Sequence, residues 1–193
     1  EKYFLNYNLE HSIGKIRSFY GTIPAVIRAY AWIMSLGDEG LKEVAKIAVL
    51  NSNYLCKKIK EIKGVSIPYA PGKYRFEQVR YSWEPLTKET GVTTEDIQRR
   101  MCDFGLHYWT SHHPWIVPEP FTLEPTESAS KDDLDEYLEA LREIAKEAYE
   151  NPEKVKNAPY NSCVHKINTE PLDDPKKWGI TWRSHLKKIK GEK

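Results

Sequence analysis

Phe121-Thr122-Leu123-Glu124-Pro125-Thr126-Glu127-Ser128-Ala129-Ser130-Lys131-Asp132-Asp133-Leu134 changes its periodicity part-way along. Phe121 to Glu124 is a short run suited to an extended strand. Pro125 to Ser128 carries turn chemistry. Ser130 followed three residues later by Asp133 resembles the capping box that opens a helix. From Leu134 onward, Tyr137, Leu138, Leu141, Ile144, Ala145 and Ala148 recur at helical spacing, which predicts a helix through Tyr149, stopped by Asn151-Pro152. A strand that passes through a turn into a one-sided helix needs a second layer to bury both apolar faces.

The same alternation extends upstream. Thr93-x-x-Asp96 is a second capping signal, with a helix predicted over 94–104 and ended by Gly105. Val65 to Ile67, Tyr74 to Trp83 and Leu106 to Trp109 read as further extended pieces. Asp38 to Ile62 reads as an amphipathic helix, with Leu41, Val44, Ala48, Leu55, Ile59 and Ile62 on one face and lysines on the others. Before it, Gly37 ends the most apolar stretch, Thr22 to Leu36. There Thr22 is a cap residue and Pro24 suits a first helical turn. Apolar residues surround most of that helix, so burial between other elements is expected. The fold class is therefore α/β in the broad sense, an α+β two-layer sandwich with a small sheet and helices packed on one side. The expected organisation is a connector at 1–21, a small α/β domain at 22–150 and an extended tail at 151–193. The tail lacks periodicity, with Trp178 and Trp182 as its expected anchors.

With 193 residues, 40% of them hydrophobic, the chain can build a sizeable core. Charged residues nearly cancel to a net charge of +1, which gives no footprint for nucleic acid or an anionic membrane. No apolar run reaches the roughly 20 residues that span a bilayer. The start, Glu1 to Tyr7, lacks the features of a signal peptide and reads as part of a longer chain. Cys56, Cys102 and Cys163 form no CxxC pair, and free thiols in a reducing compartment are expected.

Three clusters hold residues that could carry chemistry. His107, His112 and His113 lie close together, which admits a metal site or a pocket-lining role; the spacing is not HExxH and no Cys or Asp sits at a ligand spacing nearby. Glu124 to Ser128 follows a strand, where α/β proteins place functional groups, yet Thr126, Ser128 and Ser130 are equally good helix-start residues. Phe19-Tyr20-Gly21-Thr22 precedes the apolar helix, whose first amides could hold an anion, but no phosphate-loop pattern is present. Arg17, Arg28 and Arg75 could each grip a carboxylate.

Ordered blocks across the chain resemble one family. They are Ser12-Ile13-Gly14-Lys15-Ile16-Arg17-Ser18-Phe19-Tyr20-Gly21, Arg28-Ala29-Tyr30-Ala31, Leu36 to Leu41 and Ala48 to Leu55. They continue with Asp103-Phe104-Gly105-Leu106-His107, Ile116-Val117-Pro118-Glu119, Leu123-Glu124-Pro125-Thr126-Glu127-Ser128, Asn151-Pro152-Glu153 and Lys156-Asn157-Ala158-Pro159. Together they resemble the glycine dehydrogenase (decarboxylating) P-protein family of the glycine cleavage system, in the style of the second (β) subunit of its split form. Thr22, Tyr160 and Ser111 to Trp115 depart from the family pattern.

The resemblance implies the C-terminal small domain of a fold-type-I, aminotransferase-like pyridoxal phosphate enzyme. It implies glycine as substrate, decarboxylation, and transfer of the aminomethyl group to a lipoylated H-protein. It implies as partners a large domain and subunit 1 (α), and a cytoplasmic location in a prokaryote or a mitochondrial one in a eukaryote. The family's cofactor lysine lies upstream of this chain, and His165-Lys166 does not match it, so no covalently bound cofactor and no activity of this chain alone are expected. Tyr20, Thr22, His112, His113, Glu124 and Thr126 are the candidates for the substrate entrance. The alternative is a stand-alone, non-catalytic α/β binding module whose Trp178–Trp182 tail covers its own surface. No metal ligand is expected, so zinc titration, with His113→Ala as control, should give no stoichiometric binding; a site lost in that variant would overturn this.

Overall fold

Two capping signals and one antiparallel pairing organise the computed structural model, which describes residues 1–4, 6–14, 21–107, 116–168, 170–173 and 181–191. The chain divides into two units, Glu1–Lys46 and Ile47–Lys193.

In the first unit, helix α1 (Ile23–Ile59) starts after Thr22, whose carbonyl accepts the Ala25 and Val26 amides at 3.0 and 3.3 Å. Gly37, with φ 64° and ψ −172°, is non-helical and interrupts α1 where the sequence places a break. Only a residue without Cβ adopts that left-handed φ readily. Lys42 then pairs with Asp38 and Glu39 at 2.7 and 3.1 Å. The expected burial of the Thr22–Leu36 helix is corrected here. Ile23, Val26, Ile27, Tyr30, Ile33 and Met34 are all exposed. An apolar helix is buried only if another element packs on it, and the first unit contains no second helix or strand among its described residues.

The second unit holds the rest of α1, then β1 (Val79–Ser82), α2 (Glu84–Thr90), α3 (Thr94–Asp103), β2 (Pro120–Leu123), α4 (Lys131–Glu150), α5 (Pro152–Lys156), α6 (Glu170–Asp173) and α7 (Trp182–Lys190). Strands β1 and β2 pair antiparallel, with Val79 opposite Leu123 and Tyr81 opposite Phe121. The inward side chains of this ribbon enter the core. Tyr81 stacks on Phe121 at 5.2 Å and meets Trp83 edge-on at 5.7 Å, both good aromatic geometries. Leu55 and Ile59 from α1, Leu86 from α2, Ile97 from α3 and Leu141 from α4 close the core around them. Strand residues on one layer and helices on the other make the α+β two-layer arrangement read from the sequence.

Helices α3 and α4 begin as predicted. Thr93 and Asp96 form one reciprocal capping box, Ser130 and Asp133 the other. Each satisfies two of the amides that a helix start leaves unpaired. The strands are shorter than expected. Val65–Ile67 reduces to one bridge, in which Ser66 and Ser82 exchange two backbone bonds of 2.9 Å. Residues 74–78 are irregular, and the backbone N–H and carbonyl of Arg75 are taken by the Asn53 side chain rather than by a neighbouring strand. Leu106 and His107 are also outside any strand. Helix α2 was not expected; Glu84-Pro85 starts it and Gly91, at φ 71°, caps its end.

The segment after α4 is not simply extended. Asn151 caps α5, and Val155 and Ala158 are buried. Further on, α7 is helical, and Trp182 is 71% exposed beside His185, so it does not pack on this chain's core. Trp178 lies outside the described residues. The three cysteines are free, Cys56 being buried. Among the described residues, no helix is long and apolar enough to cross a membrane.

Two substitutions should separate core from cap. Ile144 is fully buried, so Ile144→Ala should lower stability by about 2–5 kcal/mol. Ser130→Ala should cost about 1 kcal/mol. Urea midpoints measure both, and equal effects would contradict this packing.

Candidate functional site

Strand alternation sends Val79 and Tyr81 inward and leaves Arg80 on the outer face of the ribbon. Arg80 there lies opposite Thr122. One step beyond the last pair of the ladder, Gln78 faces Glu124, and its amide nitrogen donates to Glu124 Oε1. Arg80 Nε and Nη2 in turn donate to Gln78 Oε1 at 3.1 and 2.6 Å. The outer face therefore carries a guanidinium, an amide and a carboxylate in series, with Arg80 and Glu124 exposed.

The turn that follows is held from below by Asn51 of α1. Its side-chain nitrogen donates to the carbonyls of Thr126 and Ala129, both at 2.9 Å, and Asn51 is buried. Thr126 Oγ1 and Ser128 Oγ share a 2.7 Å hydrogen bond. At the end of the turn, the Ser130 hydroxyl and amide hold the Asp133 carboxyl below its ordinary range. Ser130 thus does the capping, whereas Glu124 and Thr126 are not used by the helix start and stay exposed.

An irregular loop borders this face. Asn53 clasps Arg75 like a neighbouring strand would, accepting from its N–H and donating to its carbonyl, each at 2.8 Å. The Arg75 guanidinium donates to the carbonyls of Tyr69 and Ala70 at 2.6 and 3.2 Å. Nη2 and the backbone of Arg75 thus shape the loop, while its Nε is buried without a partner among the described residues. Tyr69, Tyr74, Arg75, Phe76, Gln78 and Arg80 line an open cavity of about 280 Å³.

A second charged cluster is buried. Arg100 Nε and Nη2 make a two-pronged pair with Glu147 at 2.8 and 2.9 Å, and Nη1 donates to Asp103 at 2.8 Å. Lys154 reaches Glu147 at 2.5 Å. The other oxygen of Asp103 accepts the backbone amides of Tyr160 and Asn161 at 2.6 and 2.7 Å. Burial by itself would raise the Asp103 and Glu147 pKa values. For Asp103 the amides of Asn161 and Tyr160 together with Arg100 more than offset this, and for Glu147 Arg100 and Lys154 do. Both acids therefore stay below the ordinary range. The cluster ties α3, α4 and the segment after α5 together. Every carboxylate in it is already paired, so it is built to fasten, not to receive a ligand.

Of the residues singled out from sequence, Glu124 and Thr126 share the outer-face turn. Thr22 lies in the first unit at the start of α1. Tyr20, His112, His113 and Arg17 lie outside the described residues, and Arg28 is exposed. Among the described residues, no three His, Cys, Asp or Glu side chains converge as metal ligands. Lys166 donates to the carbonyl of Lys156 at 3.2 Å. Sequence reasoning missed Asn51, Gln78 and Arg80. Asn51 is a polar residue among the apolar positions of a helix, and that was the available signal. Gln78 and Arg80 gave none until the register was known.

The chain matches the family described as glycine dehydrogenase, C-terminal domain, over residues 44–167. It is 44% identical over 193 residues to a probable glycine dehydrogenase (decarboxylating) subunit 2 of Pyrococcus horikoshii, covering 100% of this chain and 38% of that protein. The protein of the same description from Thermotoga maritima is 46% identical over 159 residues, or 82% of this chain and 33% of its own length. The chain thus spans well under half the length of these relatives. A solved structure described as glycine decarboxylase (P-protein) of the glycine cleavage system, in inhibitor-bound form, aligns with a TM-score of 0.47 at 24% identity, covering 59% of this chain and 24% of that one.

The buried cluster makes a pH-dependent contribution whose sign follows from the depressed acids. In the unfolded chain Asp103 and Glu147 take up protons near their ordinary values of 3.8 and 4.5; in the folded chain they do so only at lower pH. Their stabilisation is complete above those ordinary values and is lost as pH falls through the folded ones. Glu147→Gln should cost about 1.5–3 kcal/mol at neutral pH, by removing the charged partner of Arg100 Nε and Nη2 while Asp103 keeps Nη1. It should also flatten the acid limb of a urea-midpoint profile; an unchanged acid limb would contradict this assignment.

Proposed function

Because the chain belongs to the glycine dehydrogenase C-terminal domain family, we propose that it works as the small C-terminal domain of a split glycine-decarboxylating P-protein. The observation that carries this reading is the family match over 44–167, joined to a polar outer face fixed inside that span. In this reading the substrate is glycine, and its carboxylate leaves as carbon dioxide. The aminomethyl group passes to a lipoylated H-protein. Subunit 1 and a large domain complete the enzyme, with residues 1–21 as the connector, 22–150 as the small domain and 151–193 as a tail. The archaeal and bacterial relatives support a cytoplasmic location.

Pyridoxal phosphate would supply the electron-withdrawing ring that such a decarboxylation needs. The outer face offers Glu124, Thr126, Gln78 and Arg80, but no amine that could form an imine. These residues fit the rim of a site and do not fit the anchor of that cofactor. The anchor therefore belongs to the large domain in this proposal. What this chain supplies is a rim: Glu124 places a carboxylate, Thr126 a hydroxyl and Arg80 a cation at the entrance, with Tyr20, Thr22, His112 and His113 as further candidates from the sequence.

The alternative of a stand-alone binding module is less well supported. It calls for a self-sealed surface, whereas the Ile23–Met34 stripe and Trp182 are exposed. A direct test mixes this chain with pyridoxal phosphate and reduces with borohydride. No lysine should be trapped, and release of labelled carbon dioxide from glycine should require the complete subunit 2 together with subunit 1. A single trapped lysine on this chain, or decarboxylation by it alone, would overturn the assignment.

A further inference from the structure

We propose that Gln78 is a positioning residue for Glu124, an inference that rests on Glu124 standing at the substrate entrance. Three observations carry it. The register Val79–Leu123 places Gln78 directly opposite Glu124, one step past the end of the ladder, and opposed side chains of an antiparallel pair share a face. The Gln78 amide has a defined orientation. A guanidinium only donates, so the oxygen that receives Arg80 Nε and Nη2 is Oε1, and Nε2 is left for Glu124. Among the described residues, Gln78 is the hydrogen-bond partner of the Glu124 carboxylate.

An exposed glutamate is free to sample several rotamers. A bond from an amide that is itself braced by Arg80 selects one of them. Beneath it the backbone of the same turn is held by Asn51 through the Thr126 and Ala129 carbonyls. Side chain and backbone of the Glu124–Ser128 turn are thus fixed by two residues that lie outside it. Gln78 sits beyond the last ladder pair and outside the hydrophobic core, so its pairing adds little to folding and most to the aim of Glu124.

The test uses the complete enzyme, with full-length subunit 2 joined to subunit 1 and glycine decarboxylation as the assay. Glu124→Ala should lower kcat. Gln78→Leu should lower the same parameter by about tenfold, the scale of a hydrogen bond to a charged group near the surface. The KM for glycine and the thermal midpoint should stay close to wild type. Gln78→Glu, which keeps the shape but sets carboxylate against carboxylate, should lower kcat at least as far. In the Glu124→Ala background, Gln78→Leu should change nothing further. If Gln78→Leu and Gln78→Glu both keep wild-type kcat while Glu124→Ala loses it, the positioning role is overturned and the entrance reading stands. Fully additive losses overturn it too, because Gln78 would then act independently of Glu124. Wild-type activity in Glu124→Ala would overturn the entrance reading of Glu124 itself, and with it the need for positioning.

Discussion

Pairing of Val79–Ser82 with Pro120–Leu123 in one register decides the rest of the second unit. With Val79 opposite Leu123, Tyr81 meets Phe121 on the inner face and both stack into the core beside Trp83. The same register turns Arg80, Thr122, Gln78 and Glu124 to the other side. A slip of one residue would exchange the two faces, placing a guanidinium in the core and an aromatic ring in water. The buried aromatic cluster is therefore what holds the polar outer face in place. The ribbon is short, and it relies on helices packed against it for stability.

Polar side chains do the work that a longer sheet would otherwise do. Asn53 stands in for a missing strand beside Arg75, while the backbone of Ser66 adds a single bridge to Ser82. Ser82 also donates its hydroxyl to the Pro118 carbonyl at 2.5 Å, and Glu119 accepts the Trp83 amide through its own carbonyl. Glu119 has φ 47°, an unusual conformation for a residue with a side chain, and its carboxylate accepts the Thr94 amide at 2.6 Å. The approach to β2 is thus determined by contacts to β1 and α3, not by local preference.

The two charged assemblies of this unit have opposite characters. Around Arg100 the acids are buried, mutually satisfied and used to fasten one segment to two helices. Around Gln78 the charged ends are exposed and only the middle of the chain of bonds is occupied by protein. Separating them by burial and by saturation of their hydrogen bonds distinguishes a structural network from a face able to meet a substrate.

By itself the sequence determined the local features. Thr93 with Asp96 and Ser130 with Asp133 marked both helix starts, Gly37 and Gly105 marked interruptions, and the helical spacing of Leu134 to Ala148 identified the buried face of α4. These features depend on interactions a few residues apart. The ordered family blocks were legible for the same reason, being contiguous residues. Strand lengths, the exposed face of the Ile23–Met34 helix, the helix at Trp182–Lys190 and the Asn53 clasp on Arg75 were not legible. Each depends on whether a partner arrives from elsewhere in the chain, and burial is a property of that arrival. Glu124 and Thr126 could be named from their turn. That Gln78 faces Glu124 while Asn51 supports it was decided only by the tertiary structure, because a register and a helix packing bring together residues far apart in the sequence.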